Sequence, residues 1–127
     1  DMVKISPQIN REDLWGRFSD YDAILIPSRE LEAFSLTAIE AQAHGLPVIY
    51  GNGGGIVDVV GKSGIQINDN NPITLAKIID SINENPKILQ DYRKLGFKNA
   101  QQYKLSNQIN KLLELSQKLC QTKKQKK

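Results

Sequence analysis

The sequence predicts an α/β fold in which a parallel sheet of about four strands is flanked by helices. Short apolar runs at residues 23–26 and 47–50 are typical of buried strands, and helical periodicity runs between them from about residue 35 to 44. Gly45 provides the stop signal of that helix. A strand, a helix and a second strand within about thirty residues form a βαβ unit, whose two strands are parallel.

Further strands and a first helix are predicted on either side of this unit. The alternating segment 2–5 and the segment 64–67 are both expected to be short strands. Asn10 is expected to cap a helix over residues 11–19, because its side chain can accept a backbone N–H of the first turn. Trp15 on this helix is expected in the core rather than as a platform that stacks on a sugar.

Three more helices are predicted towards the end of the chain. The first begins at Asn71 and Pro72, the second follows Pro86, and the third is capped by Ser106. Residues 122–127 are predicted to be a basic, disordered tail, so residues 1–121 form the folded domain.

Composition argues against several classes of protein. Four of the last five residues are lysine and account for more than the whole net charge of +3, so a nucleic-acid groove is not expected. The single Cys120 excludes an internal disulfide, and with one His in the chain no metal site is expected. With no membrane span or signal peptide in the pattern, a cytoplasmic protein is predicted. The lysine tail either aids solubility or contacts an anionic membrane surface.

Glu32 and Glu40 are the candidate functional residues. Glu32 stands in the loop at the carboxyl end of the first buried strand, where open α/β sheets bind their ligands. In the following helix Leu36, Ile39 and Ala43 form the predicted apolar stripe, and Glu40 lies at its edge, about 40° from Leu36. A carboxylate at that place indicates a ligand. Alternatively, both glutamates are solvated charges.

Two backbone features near these glutamates suit a ligand with phosphate groups. The N–H groups of Phe34, Ser35 and Leu36 lie at the positive end of the helix and favour an anion. Gly54 and Gly55 belong to a glycine-dense loop at the same sheet edge, where glycine permits close approach of a ligand to the backbone. The alternative for this loop is a flexible turn. Together these features predict a ligand that carries hydroxyls and phosphate.

The segment E-A-F-S-L-T-A-I-E-A-Q-A-H-G-L-P-V-I, which begins at Glu32, resembles the E-x7-E segment of retaining, nucleotide-sugar-dependent glycosyltransferases of family 4. S-D-Y-D-A-I-L-I-P-S before it and G-G-G-I-V-D-V-V after it occur in the family's order, and the resemblance covers roughly residues 3–119. These enzymes have the GT-B fold. The resemblance implies that this chain is the Rossmann-like, C-terminal donor-binding part of such an enzyme. An N-terminal acceptor domain and the basic residues that neutralise the diphosphate are then expected outside this sequence, and this part alone is expected to be inactive.

The resemblance also implies roles for individual residues. Glu32 contacts the transferred sugar and is the catalytic residue, whereas Glu40 holds the ribose of the nucleotide. The remaining donor-binding positions are Phe34, Ser35, Leu36, Gly54 and Gly55. The donor is a UDP- or GDP-linked sugar, the acceptor is a hydroxyl, the configuration is retained, and neither metal nor other cofactor is needed.

Three positions bear on how well the family's pattern fits. Ser35 stands where glycine is frequent, and its hydroxyl is expected to cap the helix instead. Asp58 replaces a more frequent glutamate. Glu30 is an alternative to Glu32 as the first glutamate, although the seven-residue spacing favours Glu32.

Two other functions are compatible with the sequence. One is a non-catalytic Rossmann-like module that binds a partner. The other is a sugar-nucleotide epimerase of the same GT-B architecture, for which His44 is the only ordinary base candidate. The uncovered edge of so small a sheet would also permit self-association.

Overall fold

A computed structural model of the protein describes residues 3–29, 33–69 and 71–124. Within these ranges a three-stranded sheet is flanked by six α-helices. The strands are β1 (Ile24–Ile26), β2 (Val48–Tyr50) and β3 (Ile65–Gln66). The helices are α1 (Arg11–Arg17), α2 (Leu36–Ala43), α3 (Gly55–Val60), α4 (Pro72–Glu84), α5 (Lys87–Gln101) and α6 (Leu105–Lys124). Short 3₁₀ turns cover Phe18–Asp20 and Gly61–Ser63.

The sheet has the order β1-β2-β3 and both of its strand pairs are parallel. Ile24 is paired with Val48 in one ladder, and Ile49 with Ile65 in the other. The predicted βαβ unit is therefore confirmed, with α2 as its crossover helix. Because the strands are parallel, all three carboxyl ends lie at one edge of the sheet.

The strand predicted at residues 2–5 does not form in the part of the chain that the structure describes. Residues 3–10 have no regular secondary structure, and the side chains of Val3 and Ile5 are 78% and 97% exposed. An alternating segment becomes a strand only where a neighbouring strand supplies hydrogen bonds. The sheet thus has three strands in the described ranges rather than about four.

The core is built around β2, all of whose residues are buried, as expected of a central parallel strand. Ala38 and Ala41 of α2 and Ile56 of α3 are fully buried in the same cluster. The hydroxyl of Tyr50 donates a hydrogen bond to the carbonyl oxygen of Gly61 over 2.9 Å. Burial is the main cause that raises the pKa of Tyr50, and an electrostatic interaction with Tyr92 raises it further.

The buried face of α2 matches the predicted stripe only at Ile39, which is partly buried and packs against the core. Leu36 is 61% exposed and Ala43 is also exposed, whereas Ala38, Ala41 and Gln42 are buried. Hydrophobic periodicity predicts that the most apolar side chains of a helix face the core. In α2 the small side chains of Ala38 and Ala41 face it instead, because they let the helix approach its neighbours closely.

Helix α2 packs mainly against α5, and Gly96 lies at their contact. A Cβ placed on Gly96 would lie 3.0 Å from Cγ of Gln42, which is tighter than ordinary packing allows. The two helices therefore approach each other closely at this point because position 96 has no side chain.

Two of the four predicted helix caps are confirmed, and the predicted cap at Ser35 belongs to the candidate site. The side chain of Asn10 accepts the N–H of Asp13 over 2.8 Å, and that of Asn71 accepts the N–H of Ile73 over 2.9 Å. Ser106 does not cap α6, because this helix already begins at Leu105.

Helix α6 exposes its apolar residues, among them Leu112 and Leu119, which are 68% and 67% exposed. It continues to Lys124, three residues into the segment predicted as a disordered tail, and residues 125–127 lie outside the described ranges. None of the helices in these ranges combines the length and apolarity needed to cross a membrane.

Candidate functional site

The predicted site lies at the edge of the sheet where the strands have their carboxyl ends. Helix α2 follows β1 at this edge, and α3 follows β2. Glu32 and the alternative Glu30 lie outside the described residues. The other predicted positions belong to the start of α2, its middle, and the start of α3.

Helix α2 begins with an unusual backbone conformation at Ser35. This residue has φ 69° and ψ 75°, the only positive φ of a non-glycine residue in the described ranges. Ser35 is buried, and its hydroxyl has no hydrogen-bond partner among the described residues, so the predicted serine cap is wrong. The left-handed conformation explains why glycine would suit this position. By helix geometry the N–H groups of Leu36 and Thr37 lack partners within the helix.

Phe34 precedes the helix, and its side chain faces another element. The rings of Phe34 and Tyr103 meet edge to face, with their centroids 5.4 Å apart. With Ser35 as the cap residue, Leu36 and Thr37 carry the first N–H groups of α2, and the backbone donor role of Phe34 stays a prediction.

Replacement of Ser35 by glycine is expected to raise the free energy of unfolding by about 1 kcal/mol. Glycine adopts the left-handed conformation without strain, and the change removes a buried hydroxyl that lacks a described partner. Urea denaturation measures the effect. Ser81→Gly is the matched control: within α4 it should lower stability by about 1 kcal/mol. A loss of stability in both variants would contradict the strain at Ser35.

Glu40 lies in the middle of α2 with its side chain only 16% exposed. Its Oε1 accepts a hydrogen bond from the guanidinium of Arg11, and its Oε2 accepts one from the indole N–H of Trp15 over 3.0 Å. Each oxygen of the carboxylate therefore accepts one hydrogen bond from a residue of α1.

An open groove of about 400 Å³ lies against this carboxylate. Its walls are the segment before α1, the first residues of α1 and the first half of α2, including Leu36 and Thr37. The groove thus joins the exposed start of α2 to the Glu40 side chain, which the sequence predicted to act together.

Trp15 is not the core residue that its helical position predicted. It is 36% exposed, and its ring stacks near that of His44, with centroids 6.0 Å apart and planes at 25°. The guanidinium carbon of Arg11 lies over the same ring, 5.3 Å from its centroid. Trp15 and Glu40 are 25 residues apart, and no short motif connects positions at that distance.

His44, the base candidate of the epimerase alternative, occupies the end of α2. Its Nδ1 lies 2.8 Å from the backbone oxygen of Glu40, and its ring contacts Trp15 and Phe18. These contacts account for the side chain as part of the packing between α1 and α2.

Gly54 lies in the loop between β2 and α3, and Gly55 is the first residue of α3. Gly54 caps α3 with φ 71° and ψ −136°, a conformation that residues other than glycine do not adopt without strain.

Across the described residues, no group of three or more His, Cys, Asp or Glu side chains is arranged to hold a metal ion.

Known glycosyltransferases resemble this chain in sequence. The family model described as glycosyl transferases group 1 matches residues 1–102. A D-inositol 3-phosphate glycosyltransferase from Jonesia denitrificans is 36% identical over 105 residues, which are 80% of this chain and 24% of that protein. A D-inositol 3-phosphate glycosyltransferase 1 from Catenulispora acidiphila is 29% identical over 115 residues, 89% of this chain and 27% of that protein.

A solved structure matches as well. The sucrose-phosphate synthase from Thermosynechococcus elongatus superimposes with a TM-score of 0.73 and 28% identity, over 89% of this chain and 30% of that one. The chain thus spans about a quarter of the length of the curated relatives it matches. The predicted Rossmann-like, GT-B type of fold is confirmed, and the chain belongs to the group 1 family of glycosyl transferases.

Proposed function

We propose that this chain binds the nucleoside-diphosphate sugar, UDP- or GDP-linked, of a glycosyltransferase that passes the sugar to an acceptor hydroxyl with retention of configuration. The observation that carries the proposal is the Glu40 carboxylate, which is held against a groove that also contains the start of α2. One groove thus offers an acceptor for hydroxyls and a backbone site for phosphate.

Glu40 is suited to a vicinal diol such as that of ribose. An ionised carboxylate has about four acceptor positions. Arg11 and Trp15 occupy one on each oxygen, which leaves an acceptor position on each oxygen for the two ribose hydroxyls. Hydrogen bonds to an ionised acceptor are roughly twice as strong as neutral ones.

The start of α2 is suited to the diphosphate. Its unpaired N–H groups and the positive end of the helix dipole stabilise negative charge there. The charge on the diphosphate grows as the sugar leaves, so donors already in place lower the barrier of the transfer without a metal ion. Gly54 and Gly55, at the same sheet edge, give the diphosphate close access to the backbone.

Glu32 completes the proposal by resemblance alone, since it lies outside the described residues. In the assigned role its carboxylate orients the hydroxyls of the transferred sugar. That role makes it the catalytic residue of this chain.

The test is the affinity of the full-length protein for UDP and GDP, measured by calorimetry with and without Glu40→Gln. The variant is expected to weaken binding of the preferred nucleotide by about 1–3 kcal/mol, about 5- to 150-fold in Kd, because a charged acceptor is lost.

Glu84→Gln is the matched control for this measurement. It removes the same charge at the end of α4, away from the residues that line the groove, and should leave the Kd unchanged. Equal affinities of Glu40→Gln and the unsubstituted protein would refute the ribose role of Glu40.

A further inference from the structure

Trp15 makes a contact that the proposed function does not require of it. Its indole N–H donates to Oε2 of Glu40 over 3.0 Å, although the two residues belong to different helices. The ring itself is constrained from the side of α2, because it stacks near the His44 ring with their centroids 6.0 Å apart. A tryptophan side chain has only two torsions, and here its ring is held by a neighbouring ring. Its N–H is therefore a hydrogen-bond donor with a fixed position.

Arg11 also contacts this carboxylate, but it is the less rigid of the two donors. Its side chain is 59% exposed, and a long, solvated arginine gains little from an ion pair at a surface. Such a side chain can follow the carboxylate instead of holding it. The indole is therefore the group that determines the orientation of the Glu40 carboxylate.

We propose that Trp15 is a positioning residue of the nucleotide site: it holds Oε2 of Glu40 so that the carboxylate already points its free acceptor positions towards a vicinal diol. This inference rests on the proposed function of Glu40. A carboxylate held in this way loses less rotational freedom when the nucleotide binds, and that preorganisation raises affinity for the diol specifically.

His44 links this contact to the helix that carries Glu40. Its Nδ1 bonds the backbone oxygen of Glu40, while its ring stacks near Trp15. The indole is thus aligned by the same turn of α2 that presents the carboxylate. No other described residue donates to Oε2 in the structure.

The test compares a ribonucleotide with an analogue that lacks the diol. Binding of UDP and 2′,3′-dideoxy-UDP, or the GDP pair if GDP binds more tightly, is measured with the full-length protein. Trp15→Phe keeps the aromatic ring and removes the N–H. It is expected to weaken ribonucleotide binding by about 3- to 10-fold, on the scale of one ordinary hydrogen bond, because the bond is lost in the free and the bound protein alike and only the preorganisation of the carboxylate is reduced. Binding of the dideoxy analogue should not change.

The outcomes separate this inference from the function on which it rests. If Glu40→Gln lowers the preference for the ribonucleotide and Trp15→Phe does not, the positioning role is wrong and the ribose role of Glu40 remains. If Trp15→Phe weakens both nucleotides equally, Trp15 only supports the packing of α1, and the inference is overturned. If Glu40→Gln leaves the preference unchanged, the ribose role of Glu40 is wrong and the inference falls with it. If the unsubstituted protein binds neither UDP nor GDP, the proposed function itself is wrong.

Discussion

Gly64→Ala is expected to lower the free energy of unfolding by about 3 kcal/mol, at the upper end of the range for an overpacked core. A Cβ at this position would lie 2.6 Å from the backbone oxygen of Val48 and 2.6 Å from Cγ1 of Val60. The oxygen belongs to the central strand β2 and cannot move aside without disturbing the ladder. The backbone of Gly64 is extended, so the cost comes from crowding alone and not from a forbidden φ.

Chemical denaturation followed by circular dichroism measures this loss, and Gly16→Ala provides the control. Gly16 lies within α1, where an added Cβ meets nothing within 4 Å, so alanine should stabilise the protein by up to about 1 kcal/mol. The same substitution is thus expected to have opposite signs at the two positions. A stability change of Gly64→Ala within about 0.5 kcal/mol of zero, the range of ordinary surface changes, would contradict the packing of β3 against β2.

Gln42→Leu is expected to lower the free energy of unfolding by about 2–3 kcal/mol. Gln42 is only 1% exposed, and its Nε2 donates to Oγ of Ser63 over 2.8 Å. Its Oε1 accepts from Nδ2 of Asn99 over 2.9 Å. Leucine has a similar volume but makes none of the three bonds of the Gln42 amide, which include one to the backbone oxygen of Ser63, and each lost bond costs about 1 kcal/mol.

The effect of Gln42→Leu concerns the site because Gln42 lies on the same helix as Glu40. Its bonds tie α2 to the turn after α3 and to α5. Gln90→Leu, on the exposed face of α5, is the matched control and should change stability by less than about 0.5 kcal/mol. Thermal or urea unfolding of the two variants decides the point, since indistinguishable curves would mean that the buried amide network contributes nothing.

The signals that predicted the fold correctly were local ones. Asn10 and Asn71 each cap a helix because a short side-chain oxygen reaches a backbone N–H two or three residues on, whatever surrounds it. The apolar run at residues 47–50 predicts a buried strand, and β2 is indeed buried at every residue, as expected of a strand covered on both faces.

The predictions that failed depended on neighbours. Residues 3–5 alternate like a strand but have no ladder partner among the described residues, so they stay irregular. The inner face of α2 was assigned to its most apolar residues, whereas the close approach at Gly96 selects the face with alanines and Gln42. The helix start at Leu105 made the expected cap at Ser106 unnecessary.

For the candidate site, the sequence by itself determined that Glu40 lies within a short crossover helix that starts at the carboxyl edge of a parallel sheet. Spacing and periodicity suffice for that, because they follow from the geometry of one helix and two strands. The tertiary structure alone decided which groups surround the carboxylate. Arg11 and Trp15 reach Glu40 because α1 lies against α2, and a contact between residues 25 or more positions apart is determined by packing rather than by any local pattern.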